Sequence, residues 1–153
     1  MKHYTVTVRR ADKRDAAVLV SFNQAMARET EGKELPYEIT VPGVTGLIRH
    51  PEYGFYLVAE AQAQVVGSLL ITYEWSDWRN GLLWWIQSVY VRLEWRRHGV
   101  YRKLHETAKI LAKEAGNVRG FRLYVERNNL TAQRTYSDLG MKQTHYLLFE
   151  EMI

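Results

Sequence analysis

The chain has 153 residues, 46% hydrophobic and 25% charged, with 21 Lys and Arg against 17 Asp and Glu for a formal charge of +4. That length allows one core of ordinary size and not two, and the composition excludes a disordered or fibrous chain. There is no cysteine, which removes disulfides, thiolate nucleophiles and Cys-ligated zinc, and the five histidines form no close pair of the HExxH kind, so no metal site is expected.

The opening stretch MKHYTVTVRR alternates polar and apolar residues, which reads as a strand over Tyr4 to Val8 and not as a signal peptide. Asp12 is placed to cap a helix that carries Val18, Leu19, Phe22 and Met26 at helical spacing. Next, ETEGKELPYEITVPGV is broken by Gly32, Pro36, Pro42 and Gly43, which predicts an irregular stretch leading to a short helix near Val44 to His50. Phe55 to Ala61, Val65 to Trp75 and Leu82 to Val91 are β-rich runs, and Asn80-Gly81 tolerates the positive φ of a tight hairpin, so they form a three-stranded antiparallel meander.

Val100, Leu104, Ala108, Leu111 and Ala115 then predict an amphipathic helix that ends at Gly116. Phe121 to Val125 reads as a short strand, Leu130 to Leu139 as a helix stopped by Gly140, and Tyr146 to Phe149 as a final strand whose apolar character could support a homodimer. The order βα(α)βββαβαβ is an α/β (α+β) arrangement in one domain over 1–153, with the β-helix-β passage from Leu82 to Val125 favouring a parallel or splayed strand pair. No apolar run approaches the roughly 18 to 20 residues of a spanning helix, so a cytoplasmic protein with no membrane partner is expected.

The segment RLEWRRHGVYRKL, residues 92–104, sits between a strand and a helix. There the first helical N–H groups lack partners and the dipole favours negative charge, while Gly99 lets an anion approach and Arg96, Arg97 and Arg102 add positive charge. By itself such a loop reads more readily as a solvated basic patch with an ordinary turn glycine, and its flanking context reverses that weighting. Its setting, SVYVRLEWRRHGVYRKL, resembles the acetyl-CoA-binding signature of the GNAT N-acetyltransferase superfamily, Arg-x-x-Gly-x-Gly/Ala, through Arg96, Gly99 and Tyr101. The last position is usually small, so Tyr101 is a departure, and its side chain must turn away from the phosphates. Downstream, NNLTAQRTYSDLGM resembles a second segment of the family through Asn129, Ala132, Tyr136 and Gly140, with Met141 in place of Phe.

The resemblance implies a GNAT fold, a mixed central sheet flanked by helices with splayed fourth and fifth strands. It further implies acetyl-CoA as co-substrate, no metal, and an amine acceptor. The pantetheine arm would bond backbone groups of Val89, Tyr90 and Val91; the phosphate turn would be Arg96, Arg97, His98, Gly99, Val100, Tyr101 and Arg102; and Asn129 would be a pantetheine or helix-start contact, against the alternative of a plain N-cap. Direct transfer in a ternary complex then needs an acid and a base. Tyr136 is the expected acid, protonated at neutral pH with an ordinary pKa of about 10; the alternative is a core filler.

Glu74, late on the long third strand of the chain among Tyr73, Trp75 and Trp78, is the expected base if aromatic surroundings raise its pKa, against a solvated strand-end glutamate. Gln87 could orient a water. Glu29, Glu31, Glu34 and Glu38, with Glu74 and Asp77, suggest an acidic lining for a small cationic amine or a peptide, and the aromatic residues of YEWSDWRNGLLWW suggest cation–π walls, with at least Trp84 or Trp85 in the core. Two other functions remain at this stage. One is a non-catalytic acyl-CoA-binding sensor or interaction module. The other is nucleic-acid binding through Arg92 to Lys113, for which the net charge is small, so no nucleic-acid partner is expected.

Overall fold

The computed structural model describes residues 3–153; Met1 and Lys2, which begin the alternating opening stretch, lie outside the described residues. Strand β1 is Thr7–Arg10, later than the Tyr4 to Val8 expected, because its pairing to the next strand starts at Thr7 opposite Glu60 and ends at Arg10 opposite Leu57. Asp12 has the capping role expected of it. It opens a 3-10 turn, Lys13–Asp15, in which Asp12 Oδ1 accepts from the Arg14 N–H at 2.8 Å and Asp15 Oδ2 accepts from the Asp12 N–H at 2.8 Å. This reciprocal pair satisfies N–H groups that would otherwise be orphaned at the helix start, and α1, Ala16–Glu31, continues directly from it.

Helix α2 runs Tyr37–Arg49, not only from Val44, and passes through Pro42 and Gly43. Pro36 sits at its N-cap, where a missing N–H costs nothing, and its carbonyl accepts from Thr40. Packing overrides the breakers: Val44, Leu47 and Ile48 lie on one stripe against Leu19, Val20, Tyr56 and Val58.

The meander stands as expected, with β2 at Gly54–Ala61, β3 at Gln64–Ser76 and β4 at Gly81–Val91. Helix α3, Val100–Ala115, ends at Gly116 and leads into β5, Val118–Arg122. The sheet order is β1-β2-β3-β4-β5, with every pair antiparallel except the parallel β4 and β5. Helices cover both faces. Leu57, Leu69, Ile71, Trp84 and Ile86 pack on Val100, Leu104, Ala108 and Ala112 of α3, whereas Tyr56 and Val58, the alternating set, pack on α1 and α2.

Two expectations fail towards the end of the chain. Strand β5 comes earlier than Phe121 to Val125, because its ladder with β4 stops at Trp85 opposite Arg122 and leaves Leu123 to Val125 without a partner strand. After α4, Leu130–Asp138, the expected strand over Tyr146 to Phe149 does not form: residues 141–153 have no strand or helix, and 142–153 stay exposed.

Candidate active site

The site begins with a mismatch of strand lengths. Strand β4 is bonded to β3 as far as Val91 opposite Gly67, but to β5 only from Leu82 to Trp85. Between Ser68 opposite Tyr90 and Leu70 opposite Gln87 lies one residue on β3 and two on β4, a bulge in which Ser88 takes a φ of +49°. A bulge bends and twists the strand that carries it, so the far half of β4 leaves β5 and its edge groups face open space. Gly81 keeps the near half closed: a Cβ there would lie 2.6 Å from the Asn117 carbonyl and 2.6 Å from Arg119 Nε.

A cavity of about 640 Å³ fills the gap. Val89, Tyr90 and Val91 form one wall, and the turn into α3 forms the mouth with Arg96, Arg97, Gly99, Val100 and Arg102. Arg97 and Gly99 both have positive φ, +64° and +76°, which folds the turn sharply; a Cβ at Gly99 would meet nothing, so glycine serves here for conformation and not for space. Gly99 caps α3 without a side-chain hydrogen bond, and the first N–H to find a helical acceptor is that of Lys103, on the Gly99 carbonyl at 3.0 Å. The amides of Val100, Tyr101 and Arg102 are thus available to an anion.

Asn129 and Tyr136 of the α4 region close the other side. Asn129 Oδ1 accepts from the Ala132 N–H at 3.2 Å, so it does cap α4 while lining the cavity. Tyr136 is buried enough that its phenol is pushed above the ordinary value. Tyr101 turns inward, its ring 5.6 Å from that of Tyr136 and 6.0 Å from that of His105. Its hydroxyl is buried without a partner, and burial pushes its pKa up strongly. Tyr101 nevertheless remains among the residues that line the cavity.

Glu29, expected among the acceptor-lining acids, stands on the cavity itself. Its carboxylate takes the Arg96 guanidinium at 2.6 Å and the Tyr90 hydroxyl at 3.2 Å, while Arg96 Nε donates to the Val91 carbonyl at 2.9 Å. Nothing local could show this, since Glu29 and Arg96 are 67 positions apart. Met26, Trp95, Thr131 and Thr135 also line the cavity; the last two lie at i and i+4 on the face of α4 that carries Tyr136, the one signal the sequence offered for them.

Two expected residues lie elsewhere. His98 is not on the cavity wall; its Nδ1 is 2.8 Å from the Arg96 carbonyl and its ring is against Trp95. Glu74 is on the α1 and α2 face, where Oε1 accepts from the Trp85 indole N–H at 3.0 Å and Oε2 from Arg122 at 2.8 Å, and it does not line the cavity. Its neighbours are thus a cation and a donor rather than an apolar cluster. Gln87 donates to Thr72 Oγ1 at 2.6 Å on the same face. Of the aromatic run, Trp84 is core, Trp85 is half-buried, and Trp75 and Trp78 are exposed. Glu34 is paired to Arg28 at 2.6 Å.

The model of the acetyltransferase (GNAT) family matches residues 18–141. The chain belongs to that family. A possible acetyltransferase from Clostridium difficile 630 is 40% identical and superposes with a TM-score of 0.90 over 97% of both chains. Two more distant structures share the fold: a predicted acetyltransferase from Clostridium acetobutylicum solved with acetyl-CoA, 19% identical at TM-score 0.79 over 96% of each chain, and the aminoglycoside N-acetyltransferase AAC(6')-Iy with a bisubstrate analogue, 12% identical at 0.77 over 97% of this chain and 99% of that one. No curated protein matches. As a GNAT acetyltransferase, this chain is an acyltransferase whose parted β4 and β5 are the family's fold feature. Among the described residues no helix is long and apolar enough to cross a membrane, and no group of three or more His, Asp or Glu could hold a metal ion.

Proposed function

We propose that the chain, as one domain over 1–153, transfers an acetyl group from acetyl-CoA directly to a primary amine of a small cationic molecule or peptide within a ternary complex. One observation carries this reading: the free edge of β4, the unpaired amides at the start of α3 and the half-buried Tyr136 all open onto the same cavity. An acyl-CoA has a matching order of parts. Its diphosphate fits Arg96, Arg97, Arg102 and the amides of Gly99 to Arg102, its amide-bearing arm fits Val89, Tyr90 and Val91, and Asn129 stands beside the arm.

In the reaction the neutral amine attacks the thioester carbonyl, the C–N bond forms, and the C–S bond breaks. The departing sulfur takes a proton from Tyr136, whose raised pKa keeps that proton in place at neutral pH. The amine gives up its own proton to a base, for which Glu74 remains the candidate, directly or through water held by Gln87. Each Glu74 oxygen accepts one hydrogen bond, from Trp85 and from Arg122, and keeps a second lone pair with which to take that proton. Glu31, Glu38 and Asp77 supply negative charge for a cationic acceptor.

The test is a CoA-release assay with acetyl-CoA across polyamines, amino acids, aminoglycosides and peptides. Turnover on at least one cationic amine is expected, and Tyr136→Phe should lower kcat about a hundredfold, the general-acid range, while leaving CoA binding within about twofold. Binding without turnover on any amine would favour the non-catalytic sensor. Affinity for nucleic acid that falls steeply with salt and ignores CoA would overturn the assignment.

A further inference from the structure

Tyr101 of α3 and Tyr136 of α4 both line the cavity, and their rings meet edge to face, 5.6 Å between centroids at 71°. The Tyr101 hydroxyl is buried without a hydrogen-bond partner, which costs the free fold stability. Packing does not ask for that oxygen. The ring lies against the core around Val100, Leu104 and Ala108, and a phenylalanine would fill the same space without the orphaned group. The other aromatic neighbour, His105, is one turn on along α3, its ring 6.0 Å away and only 4% of the residue exposed. Burial, with Lys109 adding to it against Glu106, pushes the His105 pKa down, so it is neutral at pH 7, and acyl transfer develops no charge on it. Tyr136 is different: once the departing sulfur takes its proton, it is left as a phenolate in surroundings whose burial already pushes the phenol up, and burial makes such an anion costly.

We propose that Tyr101 is a positioning residue for the acid: its orphaned hydroxyl turns to donate a hydrogen bond to the Tyr136 oxygen as Tyr136 gives up its proton, and so stabilises the phenolate that forms. The inference rests on the reading of Tyr136 as the general acid. Burial pushes the Tyr101 pKa up strongly and a charge on Tyr136 adds to that, so the Tyr136 charge is felt at Tyr101, which keeps its own proton to donate. The balance of protons is simple. The thiol takes its proton from Tyr136, Tyr101 shares its proton without losing it, and the phenolate regains one from solvent when CoA leaves. A hydrogen bond absent from the free protein and made as charge develops lowers the barrier without tightening the ground state, and the aromatic contact between the rings holds the donor beside the place where that charge appears.

Tyr101→Phe keeps the ring and the backbone amide and removes only the oxygen. In the CoA-release assay, with the amine of the panel that turns over fastest, it should lower kcat about ten- to a hundredfold, the range of a hydrogen bond to a charged group, with KM for acetyl-CoA within about twofold of the parent. Its Tm should rise, because the orphaned hydroxyl is gone. A residue that serves only the packing would not raise Tm and lower kcat together. In the Tyr136→Phe background the same substitution should change kcat by less than about twofold, since Tyr101 acts through Tyr136. Parent kcat in Tyr101→Phe, where Tyr136→Phe is slow, would overturn the role of Tyr101 and leave the acid in place; parent kcat in Tyr136→Phe would overturn the acid itself and this inference with it. A lower Tm in Tyr101→Phe would show that the hydroxyl has a partner in the free protein, and an equal loss of kcat in both backgrounds would show that it acts apart from Tyr136. Either result would also overturn the proposal.

Discussion

Arg96 illustrates how one residue is poised between two partners. Its guanidinium is held at Val91 and by Glu29 at 2.6 Å, at the mouth where a diphosphate would compete for it. Both side chains of the ion pair are partly exposed, so the pair is worth about 1 kcal/mol or less, yet the Glu29 charge also repels an incoming anion. Glu29→Gln should therefore tighten binding of CoA about two- to fivefold, read by calorimetry at low salt, with a smaller effect at high salt as screening takes over. Unchanged affinity would mean that Arg96 does not meet the phosphates. Tyr101 is the other residue with something left over: its buried hydroxyl has no partner in the free protein, and an unsatisfied buried group of this kind costs about 1 to 3 kcal/mol. The sequence marked Tyr101 as unusual for the motif; only the packing against Tyr136 and His105 shows where the bulk goes.

At the scale of elements, Asp15 ties three of them together. It is 4% exposed, accepts from Arg9 at 2.8 and 2.9 Å and from the Asp12 amide, and Arg9 reaches on to Glu60 of β2 at 2.7 Å. Burial alone would raise the Asp15 pKa, but the Arg9 hydrogen bonds and the Asp12 amide outweigh it, so its carboxyl is held below the ordinary value. A carboxyl depressed in the folded state stabilises the fold above its unfolded pKa of about 3.9, and that contribution is lost as pH falls through the folded value. Asp15→Asn should cost about 1 to 3 kcal/mol at pH 7 in urea unfolding, and the gap to the parent should shrink at pH 3; a constant gap would show that the charge is not what holds β1 to α1.

The same scale explains the boundaries that differ from expectation. Hairpin turns, the Asp12 cap and the Gly116 stop are local chemistry and were legible. The start of α2 was not, since Pro42 and Gly43 argue against a helix until Val44, Leu47 and Ile48 find Tyr56 and Val58. Nor was the end of β5, because where a ladder stops depends on the bulge at Ser88 in another strand.

For the whole molecule, acetyl-CoA spanning β4, α3 and α4 would bind only the folded chain, where those elements meet. At one hundred times its Kd it should add about 2.7 kcal/mol, a rise of roughly 5 to 10 °C in Tm for a chain of this size, measurable by scanning calorimetry; no rise would remove the cavity as the cofactor site.

The sequence by itself determined the order of elements as far as α4, the basic turn from Arg96 to Arg102 that leads into α3, and the Asn129 to Tyr136 segment, because each is a contiguous stretch whose turn, cap and periodicity act within a few residues. The tertiary structure decided what those pieces face. It parted β4 from β5, moved Glu29 onto the cavity, paired Glu74 with Arg122 across 48 positions, and left 141–153 uncovered. Such outcomes depend on long-range packing and strand register, which no local pattern encodes.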